Sequence, residues 1–346
     1  MPPWTALATM AAMLLASLVI ACGVGAYPIA PSTIVRMLLQ GIGFTAGQPI
    51  PAEQQSVIWS IRLPRVILGA FIGAALGVSG AGMQALFRNP LADPSLTGMS
   101  GGAALAATSV IVLGASVAPG LAHLLGAATL PLAAFAGGFA VSMVVFRLAT
   151  RAGHTSIAML LLAGIALNAL AEAAIGLFTF VASDTQLRTL TFWRLGSAAG
   201  ATWQAVTVAA PAIIVASVVL ISRARAYDAL ALGEAEARHL GVPVEQLKLL
   251  TLAGCALAAG TAVAMSGMVL FVGLIAPHLV RLACGPGHRV VIPGAMLIGA
   301  VLVVGADAAA RSVAAPAELP LGILTALFGV PFFIALLLRQ REARSL

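Results

Sequence analysis

Long apolar runs separated by short polar connections make up nearly the whole chain. A helix crosses a bilayer with about 20 apolar residues, and the pattern predicts about ten spans. They lie at residues 5–26, 64–87, 95–116, 121–148, 156–181, 203–221, 249–268, 274–282, 290–308 and 321–338. The eighth is shorter than a bilayer, so it reads as a half-helix continued by irregular backbone. A short amphipathic helix is expected over 32–40, and the most charged connection runs over 222–248. The fold class that follows is an all-α polytopic membrane protein, with one transmembrane domain over residues 1–346.

Two stretches break the apolar pattern. One is Arg88-Asn89-Pro90-Leu91-Ala92-Asp93-Pro94-Ser95-Leu96-Thr97-Gly98; the other runs from Gly267 through Gly273 to Pro277, His278 and Arg281. Non-helical backbone at membrane depth persists only where protein or a watery cavity satisfies its polar groups, and broken helices are a feature of proteins that move solutes. Asp93 before Pro94 reads as an N-cap with proline in the first helical turn. Gly69, Gly73 and Gly77 stand four residues apart with Gly80 following, a face that lets another helix approach closely. Packing within the chain is the expected use of that face, over a contact between subunits.

Composition narrows the class. Of 346 residues 61% are hydrophobic and 8% charged, and the mean hydropathy is +1.06. A soluble domain carries about 25% charged residues, so little of this chain faces water. The net charge of +7 forms no basic run, which argues against nucleic acid and for a topological use of arginine. With both termini in the cytoplasm, twelve basic residues fall inside and six outside, as the positive-inside bias requires. Arg36, Arg62, Arg65, Arg188, Arg194 and Arg311 are the six outside. The first run lacks a basic start and exceeds a signal-peptide core, so it is expected to be retained as a span. Cys22, Cys255 and Cys284 lie in apolar surroundings without metal-ligand spacing and are expected as buried free thiols.

Several chemistries find no support. There is no Gly-rich phosphate loop before the single lysine, Lys248, and neither H-E-x-x-H nor G-x-S-x-G occurs. No catalytic or metal residue is assigned, and no permanently bound cofactor is expected. His278 is expected to pack or bond a loop rather than to ligate.

Motifs in order along the chain carry a family resemblance. They are Arg62-Leu63-Pro64-Arg65, Gly80 and Gln84, Arg88-Asn89-Pro90-Leu91-Ala92, Trp193 with Gly196-Ser197, Leu232-Gly233-Glu234 and Leu240-Gly241-Val242. Phe271-Val272-Gly273-Leu274, Pro277-His278, Asp307 with Arg311, Glu318-Leu319-Pro320-Leu321-Gly322 and Gly329-Val330-Pro331-Phe332-Phe333 follow. The chain resembles FecCD-type permeases, the membrane subunits of ABC importers for iron–siderophores, haem and vitamin B12. The stretch 186–193 is most similar to the haem branch.

The resemblance implies a vitamin-B12-permease-like, type II importer fold of ten spans in the inner membrane. It also implies a homodimer with a central pathway, two cytoplasmic ATPase subunits that bind ATP, and a periplasmic binding protein that delivers haem or another iron chelate. By the same resemblance Arg62, Arg65 and Arg311 dock acidic lobes of the binding protein. Contact with lipid phosphate and local capping are the alternatives. The segment 227–246 becomes the ATPase contact. Gly233 and Gly241 act there as helix stops, and Glu234, Glu236, Arg238, His239 and Leu240 form the surface. Met83, Gln84, Asn89 and Met99 are pathway candidates, and Ser156 and Ala158 match the family's gate by position. Glu172 lies within a span, where a carboxylate is costly unless paired or water-facing; it faces the pathway, bonds a neighbouring helix or is protonated. An ion-coupled secondary transporter using Glu172 or Asp307, and an intramembrane enzyme, are the competing readings.

Overall fold

The computed structural model describes residues 3–25, 27–41, 43, 50–117, 120, 124–313 and 317–344. The end of the first expected span, residue 26, and the start of the fourth, 121–123, lie outside the described residues.

Fourteen helices carry the argument: α1 (Pro3–Gly23), α2 (Pro31–Gly41), α3 (Ala52–Phe87), α4 (Met99–Val117), α5 (Thr129–Ala149), α6 (Ile157–Val181) and α7 (Asp184–Leu195). They continue as α8 (Trp203–Ser222), α9 (Ala224–Ala231), α10 (Glu234–His239), α11 (Val244–Ser266), α12 (Val272–Cys284), α13 (His288–Val313) and α14 (Leu321–Arg344). Among the described residues seven helices are long and apolar enough to cross a membrane, and three more, in α4, α12 and α14, are shorter apolar helices. Together these match the ten spans the pattern predicts.

The differences from expectation are local. The second span begins earlier, because α3 continues back through a π-helical turn at Val57–Arg62. Pro64 has no N–H to return to the preceding turn, and the wider turn absorbs that missing bond. Helix α7 was not anticipated. A capping box, Ser183 with Gln186, starts it, and the S-x-x-Q pattern is visible in the sequence. The hairpin of β1 (Thr150–Arg151) and β2 (His154–Thr155) turns on Ala152 and Gly153, both at positive φ. Alanine at positive φ is uncommon, so this turn leaves no sequence signature.

Helices α3 and α11 form the centre, with 78% and 72% of their apolar windows buried, whereas α5 and α6 bury only 17%. The glycine seam explains how α3 sits so deep. A methyl added at Gly73, Gly77 or Gly80 would collide with the carbonyl oxygens of Gly299, Ala295 and Gly273. The small face therefore serves packing within the chain, with backbone touching backbone.

The molecule has two charged ends. His288, at the start of α13, donates its backbone N–H to Asp228 of α9 at 2.9 Å. Arg311, near the other end of α13, joins the C-terminal carbonyls of α1. Between them α13 extends about 35 Å at helical rise. Because α1 ends beside Arg311 and α14 begins just after Glu318, a partner of Arg65, the start of α1 and the end of α14 share the end that carries α9 and α10.

Candidate functional site

The two breaks meet. Arg88, at φ 48°, closes α3, and the Asn89 Oδ1 accepts from the Leu91 N–H at 2.9 Å. Asp93 then caps a 3-10 turn over Pro94–Thr97, accepting from the Ser95 N–H at 2.9 Å, and Gly98 at φ 77° stops it before α4 starts. The expected cap is therefore present, but on a single tight turn and not on the long helix. In the second break Gly267 and Phe271 adopt positive φ, and α12 begins at Val272. At 13 residues α12 is only about 20 Å long, the half-helix its sequence predicts.

Between the breaks lies a cavity of roughly 390 Å³. Asp93, Ser95, Met99 and Gly101 line it from the first break and α4, Met268 to Phe271 and Gly273 from the second, and Asn168 and Glu172 from α6. Asn168 binds α6 to the first break. Its Nδ2 donates to the Ser95 carbonyl at 3.0 Å, and its Oδ1 accepts from the Gly101 N–H at 3.2 Å. Glu172 accepts from Arg194 of α7 at 3.1 Å. Arg194 borders a second cavity of roughly 540 Å³ that shares Met268 and Leu270 with the first. Glu172 thus borders the cavity and bonds a neighbouring helix.

The other pathway candidates fall in different places. Met99 lines the cavity. Met83 is wholly buried in the core. Gln84 ties α3 to α12: its Nε2 donates to the Gly273 carbonyl at 3.3 Å and its Oε1 accepts from Arg281. Asn89 is exposed just beyond the end of α3. Ser156 caps α6 and, like Ala158, is exposed at that helix's start.

At the α1 end, Arg62, Arg65 and Arg311 come together but not on the surface; each is under a tenth exposed. Arg62 donates to the carbonyls of Cys22, at 2.7 Å, Gly23 and Tyr27. Arg65 grips Asp307 at 2.9 Å and Glu318 at 2.9 Å, each through two oxygens or two nitrogens. Arg311 bonds the same Asp307 at 3.1 Å and the carbonyls of Val24 and Ala21. The end of α1 has carbonyls without helical partners and a negative dipole end, which explains the surplus of positive charge. Local capping, one of the alternatives open to these residues, is the geometry present.

At the opposite end α9 and α10 form the expected pair of short helices. Gly233 at φ 134° and Gly241 at φ 81° bound α10. The segment is docked, not loose: Tyr227 and Leu230 are fully buried, and the Tyr227 hydroxyl lies 2.8 Å from the Thr251 hydroxyl. Burial pushes that phenol's pKa well above its ordinary value. Glu236, Arg238, His239, Leu240 and Gly241 are exposed. Glu234 differs from expectation; it turns inward to Lys248 at 2.9 Å. Leu232, 67% exposed, and Leu240, 64% exposed, flank α10 as apolar contacts in an otherwise charged surface. Leu232 appears in the sequence only within a family motif and the 227–246 segment; its exposure could not be read there because its run looks like any helix face. Cys22 and Cys255 are buried, while Cys284 is only partly so.

The comparisons agree with this architecture. The FecCD transport family matches residues 13–339. The hemin transport system permease of Yersinia pestis is 48% identical over 292 residues, covering 83% of this chain and 85% of that protein. The cobalamin import permease of Halobacterium salinarum is 43% identical over 297 residues, with 86% and 77% covered. A metal-chelate type ABC transporter solved in an inward-facing conformation superposes with a TM-score of 0.82 at 32% identity, covering 96% of this chain and 98% of that one. The chain belongs to the FecCD transport family. It is a multi-span permease subunit of an ABC importer, not itself an enzyme; ATP hydrolysis resides on a separate subunit.

Proposed function

We propose that this permease carries haem, or a closely related iron chelate, from the periplasm to the cytoplasm. The observation that carries the transport reading is the cavity where the two helix breaks meet, lined on one side by the weakly buried helix α6. The hemin permease relative supports haem as first cargo, ahead of ferric siderophores and cobalamin. Helices α6 and α14 expose large apolar side chains such as Phe180 and Phe328. A homodimer that places these faces around a shared pathway would cover them.

In this reading both termini and the α9–α10 segment are cytoplasmic, and the exposed face of α10 with Leu232 and Leu240 meets an ATPase subunit. The binding protein docks on the opposite, periplasmic end. There Arg62, Arg65 and Arg311 act by holding the end of α1, α3 and α13 in register for docking, and Arg65 also pins Glu318, whose side chain is 42% exposed.

The test is reconstitution with the ATPase and binding protein. Haem should accumulate only with ATP on the cytoplasmic side, and a proton gradient should not substitute. Gradient-driven uptake by the purified chain alone would overturn the proposal and favour an ion-coupled transporter.

A further inference from the structure

The chain's single lysine is buried where three elements converge. Lys248, 2% exposed in the first turns of α11, donates to the Thr155 carbonyl at 2.8 Å, to Glu234 of α10 at 2.9 Å and to Glu245 at 3.3 Å. Glu245 in turn accepts from the Thr155 backbone N–H at 2.9 Å and from Arg238 of α10 at 3.1 Å. Thr155 is thus held through both its N–H and its C=O by two side chains one helical turn apart. The same two side chains are bonded to α10.

Thr155 is not an arbitrary anchor. It is buried at the end of the β1–β2 hairpin, and Ser156, the next residue, caps α6. Helix α6 carries Asn168 and Glu172 into the cavity and is bonded there to the first break. Helix α6 packs on α4, α5 and the first break along one face, with Gly164 against the Leu96 carbonyl, but only 17% of its apolar window is buried, and at its start the Thr155 anchor ties it to α10 and α11. An unbroken series of contacts therefore joins the exposed face of α10 to the cavity wall. A lysine ammonium is expensive to bury unless fully partnered, and an apolar residue would pack there without that cost.

We infer that Lys248 and Glu245 are positioning residues that transmit displacement of α10 to the start of α6, and so set the width of the cavity. The inference rests on the permease reading above, with α10 as the surface a partner ATPase moves. A contact series alone does not establish energetic coupling, so the test must separate coupling from stability.

The experiment uses the permease assembled with its ATPase and binding protein in proteoliposomes, with haem uptake and ATP hydrolysis measured on one preparation. The variants are Lys248→Met, Glu245→Ala, and Lys248→Met combined with Glu234→Gln. The combined variant removes one charge of each sign, so it strands no carboxylate and keeps the test decisive if a single variant fails to assemble. Arg238 remains bonded to Glu245 in the first and third. Uptake should fall about tenfold while hydrolysis stays near wild type. A fluorophore on Arg151→Cys in the hairpin should respond to ATP more weakly than in the unsubstituted permease, because each variant cuts one of the two links to Thr155, while one on Ala235→Cys in α10 should respond as before. A merely structural role would lower both activities together and leave the two fluorophores responding alike, and that result would overturn the inference. Variants that take up haem like wild type would overturn it too, leaving the permease reading intact. A wild-type assembly that hydrolyses ATP without taking up haem would overturn the haem proposal instead.

Discussion

The clusters at the two ends of α13 use the same chemistry in different mechanical settings. At one end Arg65 and Arg311 share Asp307, joining α3 and α13, which already touch backbone to backbone along the glycine seam. At the other, Lys248 and Glu245 join α11 to a two-residue strand and a six-residue helix, whose outer faces are exposed. A buried ion pair between elements that packing already holds adds register and rigidity. The same pair between small, peripheral elements becomes their main connection, and whatever moves one moves the other. Arg65 and Arg311 at one end and Glu234 at the other read from sequence as surface contacts, and all three turn inward. The difference between them lies in what else holds their partners.

The sharpest way to break this comparison is to strand the shared carboxylate. Asp307→Ala leaves Arg65 and Arg311 buried without their common partner and should destabilise the protein by about 3–5 kcal/mol. Thermal unfolding in detergent should show a large drop, with uptake per folded molecule little changed. A normal melting temperature would mean that this end is not a rigid clamp.

The next largest effects belong to the bounds of α10. Gly233→Val and Gly241→Val force a β-branched residue into positive φ, at a cost of about 1–3 kcal/mol each. Gly241 has open space around its missing side chain, and a side chain at Gly233 meets only the movable end of Glu236; but Gly233 stands at φ 134° and ψ 155°, a region essentially only glycine adopts. Gly233→Val should therefore be the worse of the two in ATP-driven uptake, with membrane insertion retained. Equal effects would indicate that the conformation of Gly233 does not set the position of α10.

Arg238→Ala should be mild. Arg238 is nearly half exposed and pairs with Glu234 at 3.6 Å and Glu245 at 3.1 Å, and such pairs contribute about 0.2–1 kcal/mol. A stability loss comparable to that of Asp307→Ala would erase the distinction between the two ends. Smallest of all, Glu172→Gln should leave the ATP dependence of uptake unchanged, since Glu172 is paired with Arg194 beside the cavity. Transfer of the driving force to a proton gradient, or its loss, measured in the same vesicles, would give that carboxylate a coupling role.

Much of this protein was legible in its sequence because the controlling physics is local. Apolar length alone requires helices to span the bilayer. Proline and glycine beside Asp93 and Gly267 dictate where those helices break, and the four-residue glycine spacing dictates which face of α3 packs closest. Gly233 and Gly241 announce the short helix between them, because glycine is the residue that adopts positive φ without strain. Only the tertiary structure decided what the charged residues do. Arg65 and Asp307 stand 242 residues apart and Lys248 and Thr155 stand 93 apart, and no local pattern marks such partners. A side chain's charge indicates that it needs a counterpart in a poorly solvating interior, but the fold selects which one. Met83 and Met99 show the same division: alike in sequence, one is closed in the core and the other faces the cavity. Orientation about a helix axis is set by every neighbour at once.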